Sequence, residues 1–198
     1  LFARFYLRFC FKLSLKHSKY LILDNEHFKK YIPEIINTRI KVIPYGGIID
    51  HSLSINSNNI VKFPFLKDNY YLTISRSISD NMIYELLESF RISKLKLVLI
   101  SNLSNSNYGQ NILKEFKMFK NITIIDGLYQ KPYLDLIRRN CFAYIHTHTK
   151  CGTAPSLVEM IIAGKPIISI DVPQNRYTLE SEGFYFNKFS NLIENLNK

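Results

Sequence analysis

The sequence predicts an α/β protein built on a doubly wound, Rossmann-like parallel sheet. Short apolar runs alternate with amphipathic stretches between residues 70 and 170. Runs such as Leu97, Val98, Leu99 and Ile100 are apolar at every position, as strands covered on both faces must be. Repeated strand–helix units imply right-handed crossovers with helices on both sides of the sheet, and no solenoid-type repeat interrupts them.

In order, residues 19–23 read as a strand, with a helix from about Glu26. Residues 39–43 read as a second strand, ending in Pro44, Tyr45, Gly46 and Gly47, a turn that suits glycine. Residues 52–64 are rich in Ser and Asn and read as a linker. Predicted strands then fall at 70–74, 95–100, 122–125, 142–145 and 166–170, and predicted helices at 82–90, 110–119, 133–139 and 155–163, with helical segments after the last strand. We divide the chain into residues 1–62, the end of a truncated N-terminal domain with its linker, and residues 63–198, a C-terminal domain. The chain opens on Leu1 and closes in a helical pattern at Lys198, so we read it as a piece of something longer.

With 46% apolar and 21% charged residues, the composition excludes a disordered chain. No run approaches the roughly 20 apolar residues of a membrane span, and no signal peptide is seen. Three cysteines without paired spacing argue against a disulfide scaffold and for a reducing compartment, hence the cytoplasm. Cys141, His146, His148 and Cys151 fit no common zinc spacing, and the two histidines alternate with Thr147 along a predicted strand. No metal is expected from them.

The formal charge of +10 calls for an anionic partner: a nucleotide, a nucleic acid or a membrane surface. Arg4, Arg8, Lys12 and Lys16 recur every fourth residue beside Phe2, Phe5, Phe9 and Phe11. Such a helix could lie on an anionic bilayer at the inner face of the cell membrane. The favoured reading is an ordinary amphipathic helix with its aromatics in a core. Nucleic acid is excluded as a partner, because no recognition module is present and the charge is spread along the chain.

In doubly wound sheets, ligands bind beyond the carboxyl ends of the strands, at helix amino termini. The sequence holds no G-x-G-x-x-G, no P-loop and no G-x-S-x-G elbow. One loop stands out, running from Tyr144 through His146, His148, Lys150 and Cys151 to Gly152, Thr153 and Ala154, and entering a helix at Pro155 and Ser156. Its glycine and small residues let a phosphate approach exposed N–H groups. Glu159, one turn inside the helix, could accept hydrogen bonds from a ribose diol. Ser156 and Glu159 also have capping-box spacing, which needs no ligand, and spacing alone does not choose between these readings.

Gly152 to Glu159, followed by Ala163, Gly164, Lys165, Pro166 and then Asp171, Asn175 and Arg176, resembles the C-terminal domain of family 4 glycosyltransferases. The likeness is nearest to the rhamnosyltransferase-like branch of bacterial surface-polysaccharide enzymes. Ile43 to Gly47 resembles the turn that closes the family's N-terminal domain, and Ile74, Ser75 and Arg76 resemble the first C-terminal strand, ending in a phosphate-binding arginine. The segment from Ser106 to Asn111 and the stretch Glu182 to Phe186 are similar too.

What the resemblance implies is the C-terminal domain of a GT-B fold and a retaining, metal-free hexosyltransferase in polysaccharide biosynthesis. Its donor would be a nucleotide-activated sugar such as dTDP-rhamnose, and its acceptor a glycan or lipid-linked glycan. Arg76 would hold the diphosphate and Glu159 the ribose. Cys151, Gly152, Thr153, Ala154 and Ser156 would line the donor, with Gly46 or Gly47 beside the leaving phosphates. Two positions depart from the family: Cys151 stands where many relatives carry a sugar-binding glutamate, and Asn81, after Asp80, stands where a lysine is common. Lys150 or Lys165 could supply that charge. The fragment alone is expected to bind donor without transferring it. Nucleotide-sugar 2-epimerases share this domain, and a non-catalytic binding module is the remaining alternative.

Overall fold

The computed structural model describes residues 2–34 and 39–196. A helix α1 (Phe2–His17) leads into strands β1 (Leu21–Leu23) and β2 (Ile40–Val42), which pair in parallel. The chain then passes through a short helix α2 (Ser57–Lys62) into a six-stranded sheet. Its strands and helices alternate: β3 (Tyr71–Ile74), α3 (Ile83–Arg91), β4 (Leu97–Ser101), α4 (Asn107–Phe116), β5 (Ile122–Asp126), α5 (Lys131–Asn140) and β6 (Ala143–His146). They continue through α6 (Pro155–Ile162), β7 (Ile167–Ile170), α7 (Pro173–Leu179), β8 (Phe184–Phe186) and α8 (Phe189–Leu196).

All pairings in this sheet are parallel, and the strand order is β5-β4-β3-β6-β7-β8. The doubly wound prediction therefore holds. The order reverses between β3 and β6, which opens a crevice at their carboxyl ends. Alternate residues of each strand feed two cores, one on each face. Leu72, Val98, Ile100 and Tyr144 pack with α5 and α6, whereas Tyr71, Leu97, Leu99, Ala143 and Ile145 pack with α3, α4 and α8. That two-sided burial is why these strands read as unbroken apolar runs.

Several elements differ from expectation. The helix expected from Glu26 is a 3-10 turn, Glu26–Tyr31, that ends in extended backbone at Ile32; Pro33 disfavours a helical residue before it. The Ser- and Asn-rich linker contains α2, whose first turn is capped by the Asn56 side chain accepting from the Asn59 N–H at 2.9 Å. Helix α4 begins at Asn107 rather than Gln110, because Ser106 caps it through the Gly109 N–H at 3.0 Å. Helix α1 buries none of its residues: Phe2 is 84% exposed and Phe5 73%. Its aromatics do not enter a core among the described residues, and α1 is tied down only near its end, where Arg39 donates to Leu15 O and Ser18 O. No described helix is long and apolar enough to cross a membrane.

Candidate functional site

The crevice at the strand-order reversal is a cavity of about 730 Å³, within the usual range for small-molecule sites. Its floor comes from the ends of β3 and β4, through Ser75, Arg76, Ser101 and Asn102. One side comes from the loop between β6 and α6, and the mouth from Gly127, Leu128 and Tyr129 after β5. Gly127 has φ +78, a left-handed turn open to glycine, and it swings the chain around the cavity edge.

Arg76 is exposed, and no carboxylate lies within ion-pair reach of its guanidinium among the described residues. Its backbone is firmly set, since its carbonyl accepts from the Ile78 N–H at 2.8 Å and from Asn81 Nδ2 at 3.0 Å. Asn81 thus shapes the turn that presents the arginine, at the position where a lysine was looked for. Lys150 lines the cavity and pairs with Asp80 at 3.0 Å in solvent. Lys165 lies before β7, at the opposite ends of the strands, and does not approach the cavity.

The β6–α6 loop is pinned from three directions. Thr147 Oγ1 donates to Asn81 O at 2.5 Å, and Thr149 donates to Asp80 O through Oγ1 at 2.8 Å. Asn175 Nδ2 donates to His148 O at 3.2 Å. Asp24, from the end of β1, accepts the Thr153 N–H at 3.2 Å, and the Thr153 hydroxyl donates to Asp24 O. The fit is close at Gly152, where a Cβ would lie 2.2 Å from Asp24 Oδ2.

Helix α6 removes one of the two readings of Ser156 and Glu159. Pro155 is its first residue and Ala154 its N-cap, with no side-chain cap bond. Ser156 is inside the helix, so there is no capping box. Pro155 has no N–H to place, and the Ala154 and Ser156 N–H groups find no protein acceptor among the described residues. They stay available to an anion at the positive end of the helix.

Arg76, Cys151, Gly152, Thr153, Ala154 and Ser156 all line the cavity. Gly46, Gly47 and Glu159 do not. Gly47 packs on α6, where a Cβ would meet Ile162 Cδ1 at 2.9 Å and Glu159 Cγ at 3.4 Å. The Glu159 carboxylate accepts from Arg138 Nη2. Arg138, 3% exposed, also donates to Asp135 at 2.6 Å, and Asp135 takes Lys131 at 2.6 Å and the Asp50 N–H at 2.8 Å. Burial alone would raise the Asp135 carboxyl, but hydrogen bonds from Lys131, Asp50 and Arg138 hold it below its ordinary value.

Of the remaining candidates, Asp171 and Arg176 pair with each other at 2.5 Å and are spent there. Burial, followed by the charge of Arg76, lowers His148 to about 4, so its ring is neutral near pH 7. Burial raises the Cys151 thiol to about 11. The cationic end of the cavity therefore rests on Arg76 and the α6 amino terminus. Asp24, Tyr45, Asn102, Leu128 and Tyr129 also line the wall and were not singled out as site residues from sequence. The signal for the last three was positional: they follow strands β4 and β5.

No protein-family model matches the chain. No curated protein matches it either. Solved structures do share its fold. HepE from Anabaena, in complex with UDP and glucose, superposes with TM-score 0.74 at 15% identity over 96% of this chain and 56% of that one. Sucrose-phosphate synthase from Thermosynechococcus elongatus gives 0.72 at 14% identity, over 94% and 50%. The lipopolysaccharide outer core galactosyltransferase WaaB gives 0.61 at 16%, over 92% and 53%. The chain spans about half the length of these structures, and its fold is the Rossmann-like half of their GT-B architecture.

Proposed function

We propose that this chain is the donor-binding half of a retaining glycosyltransferase, similar to family 4 and its rhamnosyltransferase-like branch, that takes a hexose such as rhamnose from a nucleoside diphosphate. The observation that carries this reading is the unpaired Arg76 guanidinium sharing one cavity with the free amino terminus of α6. A nucleoside diphosphate is anionic at one end and flat and apolar at the other. The cavity matches it with Arg76, Ala154 and Ser156 at one end and Leu128, Tyr129 and Leu134 in its remaining wall.

Transfer breaks the bond between the anomeric carbon and the leaving phosphate oxygen, and negative charge grows on the diphosphate. An arginine and aligned N–H donors stabilise that charge without reorganising. Cys151 supplies no carboxylate for the sugar. Glu159 joins the reading as the ribose acceptor, since Arg138 holds one of its oxygens while its side chain keeps 26% exposure. The glycan or lipid-linked acceptor belongs to the same proposal. So does contact of α1 with the cytoplasmic face of an anionic membrane, through Phe2, Phe5, Phe9 and its cations, which co-sedimentation with anionic vesicles would test.

Calorimetry of the chain with UDP, dTDP and GDP tests the donor reading. At least one should bind, and Glu159→Ala should weaken it. Absence of binding by all three would overturn the donor site, whereas equal binding by Glu159→Ala would overturn only the ribose assignment.

A further inference from the structure

The linear spacing of Cys141, His146, His148 and Cys151 gave no zinc pattern, but folding separates one of the four and gathers the other three. Cys141 donates to Arg138 O at 3.2 Å, at the amino end of β6. His146 ends that strand, and His148 and Cys151 follow it. Residues two apart along an extended chain share a face, and the two imidazole centroids lie 4.4 Å apart. One ligand atom from each of His146, His148 and Cys151 falls within 4.8 Å of the others.

A second observation points to a ligand among them. His146 is 1% exposed, and neither Nδ1 nor Nε2 has a hydrogen-bond partner. Buried polar atoms are nearly always paired, and an unmade bond costs about 1–3 kcal/mol. Two orphaned nitrogens on one core imidazole imply a partner that the chain does not supply. Of the two nearest candidates, His148 Nε2 is taken by Ser75 Oγ at 3.0 Å and the Cys151 thiol reaches Asn175 Oδ1 at 3.9 Å. Asn175, fully buried, holds the His148 backbone from behind.

We propose that His146, His148 and Cys151 bind a divalent metal ion, zinc foremost, at the floor of the cleft. Two imidazoles and one thiolate are a borderline-soft set that suits zinc over magnesium or calcium. Tetrahedral zinc would hold such ligand atoms about 3.5 Å apart, so the cluster tightens by about 1 Å on loading through side-chain rotation. Ser75 gives up His148 as it turns, and the Cys151 proton leaves to solvent as the thiolate binds. His148 and Cys151 both line the cleft, so the fourth position opens towards it and takes an oxygen ligand. The proposal goes beyond the donor reading and does not depend on it.

The chelator-stripped chain is titrated with Co²⁺ and then Zn²⁺, following visible absorption. One saturable equivalent of cobalt should give tetrahedral d–d bands and a thiolate charge-transfer band, both abolished by zinc. Cys151→Ser should lose the charge-transfer band, and His148→Ala should weaken zinc at least about tenfold, while Cys141→Ser behaves as the parent. Absence of saturable uptake would overturn the proposal, and so would uptake unchanged in Cys151→Ser and His148→Ala. Nucleotide calorimetry on the stripped chain is read separately, so failure of the metal site and failure of the donor site are distinguishable.

Discussion

Arg76 and Arg138 carry the same charge under opposite conditions. Arg76 stands exposed at the end of β3 with its guanidinium unpaired, while Arg138 lies 3% exposed between Asp135 and Glu159. A buried guanidinium keeps its charge and must be matched by anions, or its burial costs several kcal/mol. A cation at a strand end in a crevice can wait for an anion from solution. The contrast separates a charge tied into the scaffold from a charge left unpaired in the crevice, which we propose is for a ligand, and each side of it can be broken.

The largest effect belongs to the buried network. Arg138→Leu leaves Asp135, fully buried, with the Asp50 N–H and the half-exposed Lys131 as its partners, and should cost about 3–5 kcal/mol in urea unfolding. A loss below about 1 kcal/mol would dissolve the distinction between the two arginines. The same network sets a pH dependence. The folded carboxyl of Asp135 is held below its unfolded value, so its stabilisation is complete above that unfolded value. It is lost as pH falls through the lower folded value. Stability should drop steeply below about pH 4 in the parent and less so in Asp135→Asn.

Arg76→Ala is the counterpart. Its unfolding midpoint should stay within about 0.5 kcal/mol of the parent. Nucleoside diphosphate affinity should fall about ten- to a hundredfold, as for loss of a hydrogen bond to a charged group. A smaller effect is expected at Gly152, where a Cβ collides with the Asp24 carboxylate at 2.2 Å. Because a side-chain end can move aside, Gly152→Ala should cost only about 1 kcal/mol, and Asp24→Ala should relieve most of it in a double-mutant cycle. The smallest change is Asp24→Asn. Removing a negative charge beside the α6 amino terminus should tighten diphosphate binding by about 0.3–1 kcal/mol, read by calorimetry.

What could be read in advance divides along the same line. Arg76 was picked out because Ile74, Ser75 and Arg76 resemble the first C-terminal strand of family 4 glycosyltransferases, and its place at a strand end agrees with where such sheets bind ligands. The loop from Cys151 to Ser156 was legible for the same reason, and Pro155 at the first helical position was already the sign that Ser156 is no cap. Arg138 was not legible. It sits in a run of basic and polar residues that reads as a solvated helix end, and its partner Glu159 comes from another helix 21 residues on. No spacing rule connects two separate helices packed on one face of a sheet. The same holds for Cys151 and His146, which meet only after the loop folds back under Asn175. Helix α2 was hidden because Asn56 caps it from within a stretch whose composition resembles a linker. Local chemistry was readable wherever one strand or helix carried it, and unreadable wherever two elements had to meet.

The central claim is that Arg76 is kept unpaired for a nucleoside diphosphate. Calorimetric titration of the parent and Arg76→Ala with whichever of UDP, dTDP and GDP the parent binds most tightly tests it directly. The account predicts a loss of affinity of at least about tenfold. Equal affinities for the two proteins would contradict it.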